Sequence, residues 1–121
     1  MERQTTNIRA EVLLAAAVMT ALSKAIPQRI EDISSLLFKL RNAGIDLGDI
    51  ALRRVPGGGF YSEDIEALIG HYLDAGYATE RSPVQLTEKG LQALAEIIHA
   101  GREDNPSALE RIEAVLGHLE A

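Results

Sequence analysis

Few residues in this chain can do chemistry, and their spacing decides whether any of them could act together. Glu96 and His99 stand at the Glu-x-x-His spacing that puts a carboxylate and an imidazole on one helix face, as in carboxylate-bridged metal sites. Such sites need two pairs and two further carboxylates, and one pair alone reads as a helix surface. His71 and His118 have no neighbouring ligand at metal spacing and read as solvated side chains. Pro56-Gly57-Gly58-Gly59 has the composition of a phosphate-cradling loop. No Lys-Ser or Lys-Thr follows it, and Glu63 and Asp64 at the next helix start would repel phosphate, so a tight connection is expected. There is no Gly-x-Ser-x-Gly elbow, and the serines fall at caps or on helix surfaces. Glu31-Asp32 and Glu103-Asp104 are adjacent in sequence, so each pair points apart on a helix or lies in a linker, unsuited to acid-base work. The absence of Cys removes thiol nucleophiles, thiolate metal sites and disulfides together. No catalytic residue, metal or cofactor is expected, and the chain reads as a non-enzyme.

The elements that would hold any site come from an ordinary globular composition. The 121 residues are 46% hydrophobic and 25% charged, enough for one domain with a real core. Three Tyr and two Phe leave the core to Leu, Ile, Val and Ala, which suits packing of helix on helix. The apolar stretch Val12 to Leu22, followed by Ser23-Lys24-Ala25, has the look of a signal peptide. Glu2 and Glu11 offset Arg3 and Arg9, so it lacks a positive n-region, and it falls short of the roughly 20 apolar residues of a membrane span. A buried helix is expected, with no membrane partner and a cytoplasmic location. Charge is uneven around the net −6: residues 24–60 carry six cationic against four acidic side chains, and residues 61–121 carry four against twelve.

Apolar periodicity divides the chain into a series of helices. Ile8, Val12, Ala15, Met19, Leu22 and Ile26 recur at helical steps, and Leu13, Leu14, Ala16, Ala17 and Val18 make the other faces apolar too. After Pro27, the residues Ile30, Ile33, Leu37 and Leu40 predict an amphipathic helix ending at Ala43-Gly44, with Phe38 off its stripe and needing cover. Asp46 to Val55 is read as a short helix or turn capped by Asp46 or Asp49, with a short strand over Ile50 to Val55 as the alternative. Ser62 is an N-cap ahead of Ile65, Leu68, Ile69, Tyr72 and Leu73. Gly76 ends that helix, and a hairpin follows over Tyr77 to Arg81 and Val84 to Leu86 with its turn at Ser82-Pro83. Thr87 caps a helix carrying Leu91, Leu94, Ala95 and Ile98 to near Gly101. Arg102-Glu103-Asp104 is expected to be a linker, and Asn105-Pro106 to open a last helix.

The string Leu73-Asp74-Ala75-Gly76-Tyr77, the hairpin, and Leu86-Thr87-Glu88-Lys89-Gly90 resemble the reading-helix end, wing and following helix of winged-helix proteins such as the MarR and PadR families. Leu36-Leu37-Phe38-Lys39-Leu40, a Gly-rich loop and Tyr61-Ser62 are similar to small bacterial proteins of the YwgA type. The resemblance spans about Ile30 to Ile98. It implies a mainly α fold with a small β-hairpin, a winged helix-turn-helix with extra N- and C-terminal helices. The expected organisation is one domain over 1–121, with a core at 27–101 flanked by helices at 8–26 and 106–120.

Members of such families commonly bind DNA through the helix that corresponds to Ser62 to Ala75. Here its outward residues include Glu63, Glu66, His71 and Asp74, with Asp64 beside them, and carboxylates oppose phosphate and base contact. The resulting expectation is a regulatory or adaptor protein that works through contact with an unidentified protein partner. The alternative is a DNA-binding regulator using the basic set Arg29, Lys39, Arg41, Arg53 and Arg54. Leu109, Ile112, Leu116 and Leu119 repeat as an apolar stripe on the last helix. With Met19 they are expected to form a homodimer interface, the other possibility being docking of that helix within the chain.

Overall fold

The computed structural model describes residues 9–48 and 50–118. Ile8, Asp49 and Leu119 lie outside the described residues. The first helix, α1 (Ala10–Ser23), is buried from Val12 through Val18 without a break. An apolar helix of this kind has no solvent face to satisfy, so it becomes the hub of the fold. It contacts the second helix α2 (Ile30–Asn42), and the later helices α4 (Glu88–Asp104) and α5 (Pro106–Gly117). Its alanines at 15, 16, 17 and 21 are buried, and their small side chains let neighbouring helices approach.

Between α2 and α4 come a short hairpin, β1 (Arg53–Arg54) with β2 (Phe60–Tyr61), the helix α3 (Glu63–Ala75), and a second hairpin, β3 (Ala78–Arg81) with β4 (Val84–Leu86). Both hairpins are antiparallel, and they form two separate two-stranded sheets. The chain is mainly helical with small β-hairpins. The order α3, turn, hairpin, α4 is as expected. Helix-turn-helix motifs join their helices by about three or four residues, whereas residues 43–62, including the first hairpin, separate α2 from α3.

Three helices end in the same way, with a backbone bond spanning six residues around a left-handed position. Ile26 N–H donates to Ala21 O at 2.8 Å, Ile45 N–H to Leu40 O at 3.0 Å and Tyr77 N–H to Tyr72 O at 2.8 Å. Gly44 and Gly76 occupy two of the left-handed positions, and Ala25 occupies the third at φ 58°. The caps Ser62, Thr87 and Asn105 accept from Ile65, Gly90 and Ala108 N–H respectively. α2 has no side-chain cap of its own. Ser82, at the tip of the second hairpin, supplies it by accepting from Ile30 N–H at 3.1 Å, while Val84 N–H donates to Gln28 O at 2.9 Å.

Two expectations are corrected. Residues 50–55 form no helix, and the alternative of a short strand there holds over two residues: Arg53 and Arg54 pair with Tyr61 and Phe60 across the glycine turn, while Asp46 accepts from Gly48 N–H in a local turn. Arg102-Glu103-Asp104 is the last turn of α4 and not a linker. Gly101 does not stop the helix because its bare face lies against Val12, and Arg102 forms a two-bond pair with Glu113 of α5 at 2.8 Å.

Candidate interaction surfaces

The first turn of α3 was expected to be a free acidic face, and the structure gives its carboxylates structural tasks. Glu63 accepts from Arg53 of β1, with contacts at 2.7 and 2.8 Å. Asp64 accepts from Ala51 N–H at 2.8 Å, tying down the segment ahead of β1. Glu66 lies 3.9 Å from Arg81 of β3. These acids also sit where a helix N-terminus favours negative charge. The Arg53 hydrogen bond holds Glu63 below its ordinary carboxylate range, and burial followed by a hydrogen bond to Glu66 raises the Tyr61 hydroxyl. His71 and Asp74 are exposed further along α3.

The basic set is divided by the fold. Arg29 begins α2 and is paired with Asp32 at 2.8 Å, while Lys39 and Arg41 lie at the other end of the same helix, roughly 15 to 18 Å away at 1.5 Å per residue. Adjacent residues of a strand face opposite sides. Arg53 lies over Tyr61, 5.1 Å from its ring centre, and bonds to α3. Arg54 lies over Phe60 at 5.3 Å, on the side facing α2. There Phe60 stacks on Phe38, with ring centres 3.9 Å apart and planes inclined by 16°, and Arg41 lies over Phe38 at 5.4 Å. Phe38 therefore receives its cover from the first hairpin of its own chain. Lys39, Arg41 and Arg54 are exposed and form no ion pair among the described residues. The only sequence signals for this cluster were the off-stripe Phe38 and the Arg pair.

Three of the residues expected at a dimer interface are buried inside the chain. Leu109 and Ile112 are 0% exposed and Leu116 1%, within a single chain, because α5 lies on α1, α2 and α4. Met19 is half-buried against the same core. Burial of each large side chain contributes about 1.5 to 3 kcal/mol, and intramolecular docking gains it without the entropy of association. These three side chains have no face left for a second copy.

The remaining chemical candidates are dispersed. His99 approaches Glu103 at 3.4 Å on the exposed face of α4 and has no pairing with Glu96. Gly57, Gly58 and Gly59 all have positive φ, and the loop closes on itself through Val55 N–H to Gly59 O and Gly58 N–H to Val55 O. The glycine run is thereby accounted for as a hairpin turn. His118 Nδ1 lies 2.6 Å from Ala114 O. A cleft of about 480 Å³ lies between the start of α1 and α4, beside Arg9, Glu11, Tyr77, Glu96 and Asp104. Among the described residues no group of three His, Cys, Asp or Glu is placed to hold a metal, and no helix is long and apolar enough to cross a membrane.

Compared with known proteins, no protein-family model, no curated protein and no solved structure matches the chain.

Proposed function

We propose that the chain is a non-enzymatic regulatory or adaptor module of winged-helix type that works through contact with another protein. One observation carries this reading. The helix that would read DNA in such a module spends Glu63, Asp64 and Glu66 on bracing the two hairpins, and its remaining exposed residues, Ala67, His71 and Asp74, include no Arg or Lys. Base readout and phosphate contact draw mainly on Arg, Lys, Asn and Gln, so this helix is poorly equipped for either. Titration of labelled duplex DNA by fluorescence anisotropy at low and moderate salt tests the reading. The expected result is no binding that weakens steeply with salt; tight binding of that kind would overturn it.

A second reading, a DNA-binding regulator, is favoured by Lys39 and Arg41 near the end of α2 and Arg54 of β1, which form no ion pair among the described residues. It requires Arg41→Glu with Arg54→Glu to abolish duplex binding while the circular dichroism spectrum stays unchanged.

A further inference from the structure

We infer that the surface formed by Arg41, Phe38, Phe60 and Arg54 docks an acidic segment of a partner protein, whose carboxylates the two guanidiniums take up. This rests on the protein-contact reading and deepens it by naming the partner's chemistry. The chain has eighteen acidic side chains against twelve Lys and Arg, so two neighbouring arginines without a carboxylate partner among the described residues run against its overall balance. Arg29, Arg53, Arg81 and Arg102 all have carboxylate partners, and Arg41 and Arg54 do not among the described residues. A third element brings charge to the same end of α2: Arg111 Nη2 lies 3.5 Å from the point where a Cβ on Gly44 would sit.

The geometry favours carboxylates over nucleic acid for three reasons. The arginines are already held over aromatic rings, so less side-chain entropy is lost when they bind, and their planar forks match a carboxylate. Each Phe ring has the other ring on one face and a guanidinium over the opposite one, which leaves no open ring face for a nucleobase to stack on. Two guanidiniums neutralise few phosphates, so the electrostatic gain on a duplex is small. A short acidic peptide stays within the patch, with the half-buried Phe38 and Phe60 as an apolar floor between the charges.

The test titrates the full chain into a fluorescein-labelled oligo-glutamate peptide and, in parallel, a labelled duplex DNA at matched salt. The peptide should bind, more weakly as salt rises. Arg41→Gln and Arg54→Gln should each lower its affinity about tenfold, the worth of one charge-assisted bond, and Arg29→Gln should leave it unchanged. Both arginines are exposed, so each variant should keep the wild-type circular dichroism spectrum. Peptide binding indifferent to both substitutions would overturn the assignment. Absence of peptide binding would overturn it while leaving the protein-contact reading in place. Duplex bound more tightly than peptide, and released by the same substitutions, would overturn both.

Discussion

Three glycines lie inside helices ahead of their last residue, and replacing each by Ala should give different results because their surroundings differ. An Ala in a helix interior is favoured over Gly by about 1 kcal/mol when nothing else changes. Gly70 of α3 has nothing within 4 Å of an added Cβ, so Gly70→Ala should gain that amount and raise Tm by about 3 to 5 °C for a domain of this size. At Gly90 of α4 an added Cβ would overlap the Tyr77 carbonyl oxygen and lie 2.8 Å from its carbon. Backbone cannot rotate away as a side chain can, and the same oxygen accepts from Thr87 N–H at 2.9 Å. Overpacking of about 1 to 3 kcal/mol and a weakened hydrogen bond of about 1 kcal/mol outweigh the helix gain, for a net loss of about 2 to 3 kcal/mol. That corresponds to a fall in Tm on the order of 10 °C. Gly101 is intermediate: its Cβ would meet Val12 Cγ1 at 2.7 Å and Cγ2 at 3.1 Å, a stiff but truncatable side chain. Gly101→Ala should therefore cost about 1 to 2 kcal/mol alone and little or nothing in a Val12→Ala background, a coupling of about 1 kcal/mol or more. Urea denaturation followed by circular dichroism measures the three glycine variants, Val12→Ala and the Val12→Ala/Gly101→Ala double variant. A Gly90→Ala chain as stable as the parent, or Gly101→Ala and Val12→Ala costs that simply add, would refute the close approaches on which this reasoning stands.

Ala25→Gly should raise the urea midpoint by the equivalent of about 0.5 to 1 kcal/mol, since Ala25 holds φ 58° at a left-handed helix end where Gly44 and Gly76 serve the other two helices; a lower midpoint would count against that backbone. Tyr72→Phe should be neutral or stabilising by up to about 1 kcal/mol, because the Tyr72 hydroxyl is buried without a hydrogen-bond partner among the described residues and burial pushes its pKa up; a clear loss of stability would show that the hydroxyl does bond. Arg102 holds Glu113 below its ordinary value of 4.5, so the stability from this pair is complete above that pH and is lost as pH falls through the depressed value. With both side chains nearly half exposed the effect is under about 1 kcal/mol, and Glu113→Gln should remove that part of the acid-induced fall in Tm. Ile112→Asp should destabilise by at least about 4 kcal/mol at every protein concentration, because the position is buried within one chain. A folded Ile112→Asp monomer derived from a parent dimer, seen by light scattering after size exclusion, would contradict this placement.

Much of the local structure was legible from sequence because it rests on short-range rules. Ser62, Thr87 and Asn105 cap the helices that follow them, and Gly44 and Gly76 end the helices that precede them. Ser and Thr hydroxyls, the Asn side-chain oxygen and the unhindered φ of Gly act within a few residues of where they stand. The two misread segments are those where distant packing overrides such rules. Gly101 resembles a helix stop, yet the requirement it meets is contact with Val12 of α1. Arg53 and Arg54 become a strand because Phe60 and Tyr61 are folded back beside them.

The candidate surface was less legible, since charge pairing and burial depend on which elements meet in space. Composition and periodicity by themselves determined a helical chain around an all-apolar first helix, a hairpin after Gly76, and an acidic C-terminal half, because amphipathic period and net charge are properties of the residues alone. Only the tertiary structure decided that Ser82 would cap α2 from the far hairpin, that α5 would bury Leu109, Ile112 and Leu116 in its own chain, and that Arg53 would be paired while Arg54 stays free of an ion pair among the described residues. The physical reason is the same in each case: a hydrogen bond, an ion pair or an apolar contact acts over a few ångströms, and sequence neighbours such as Arg53 and Arg54 can face opposite sides of a strand.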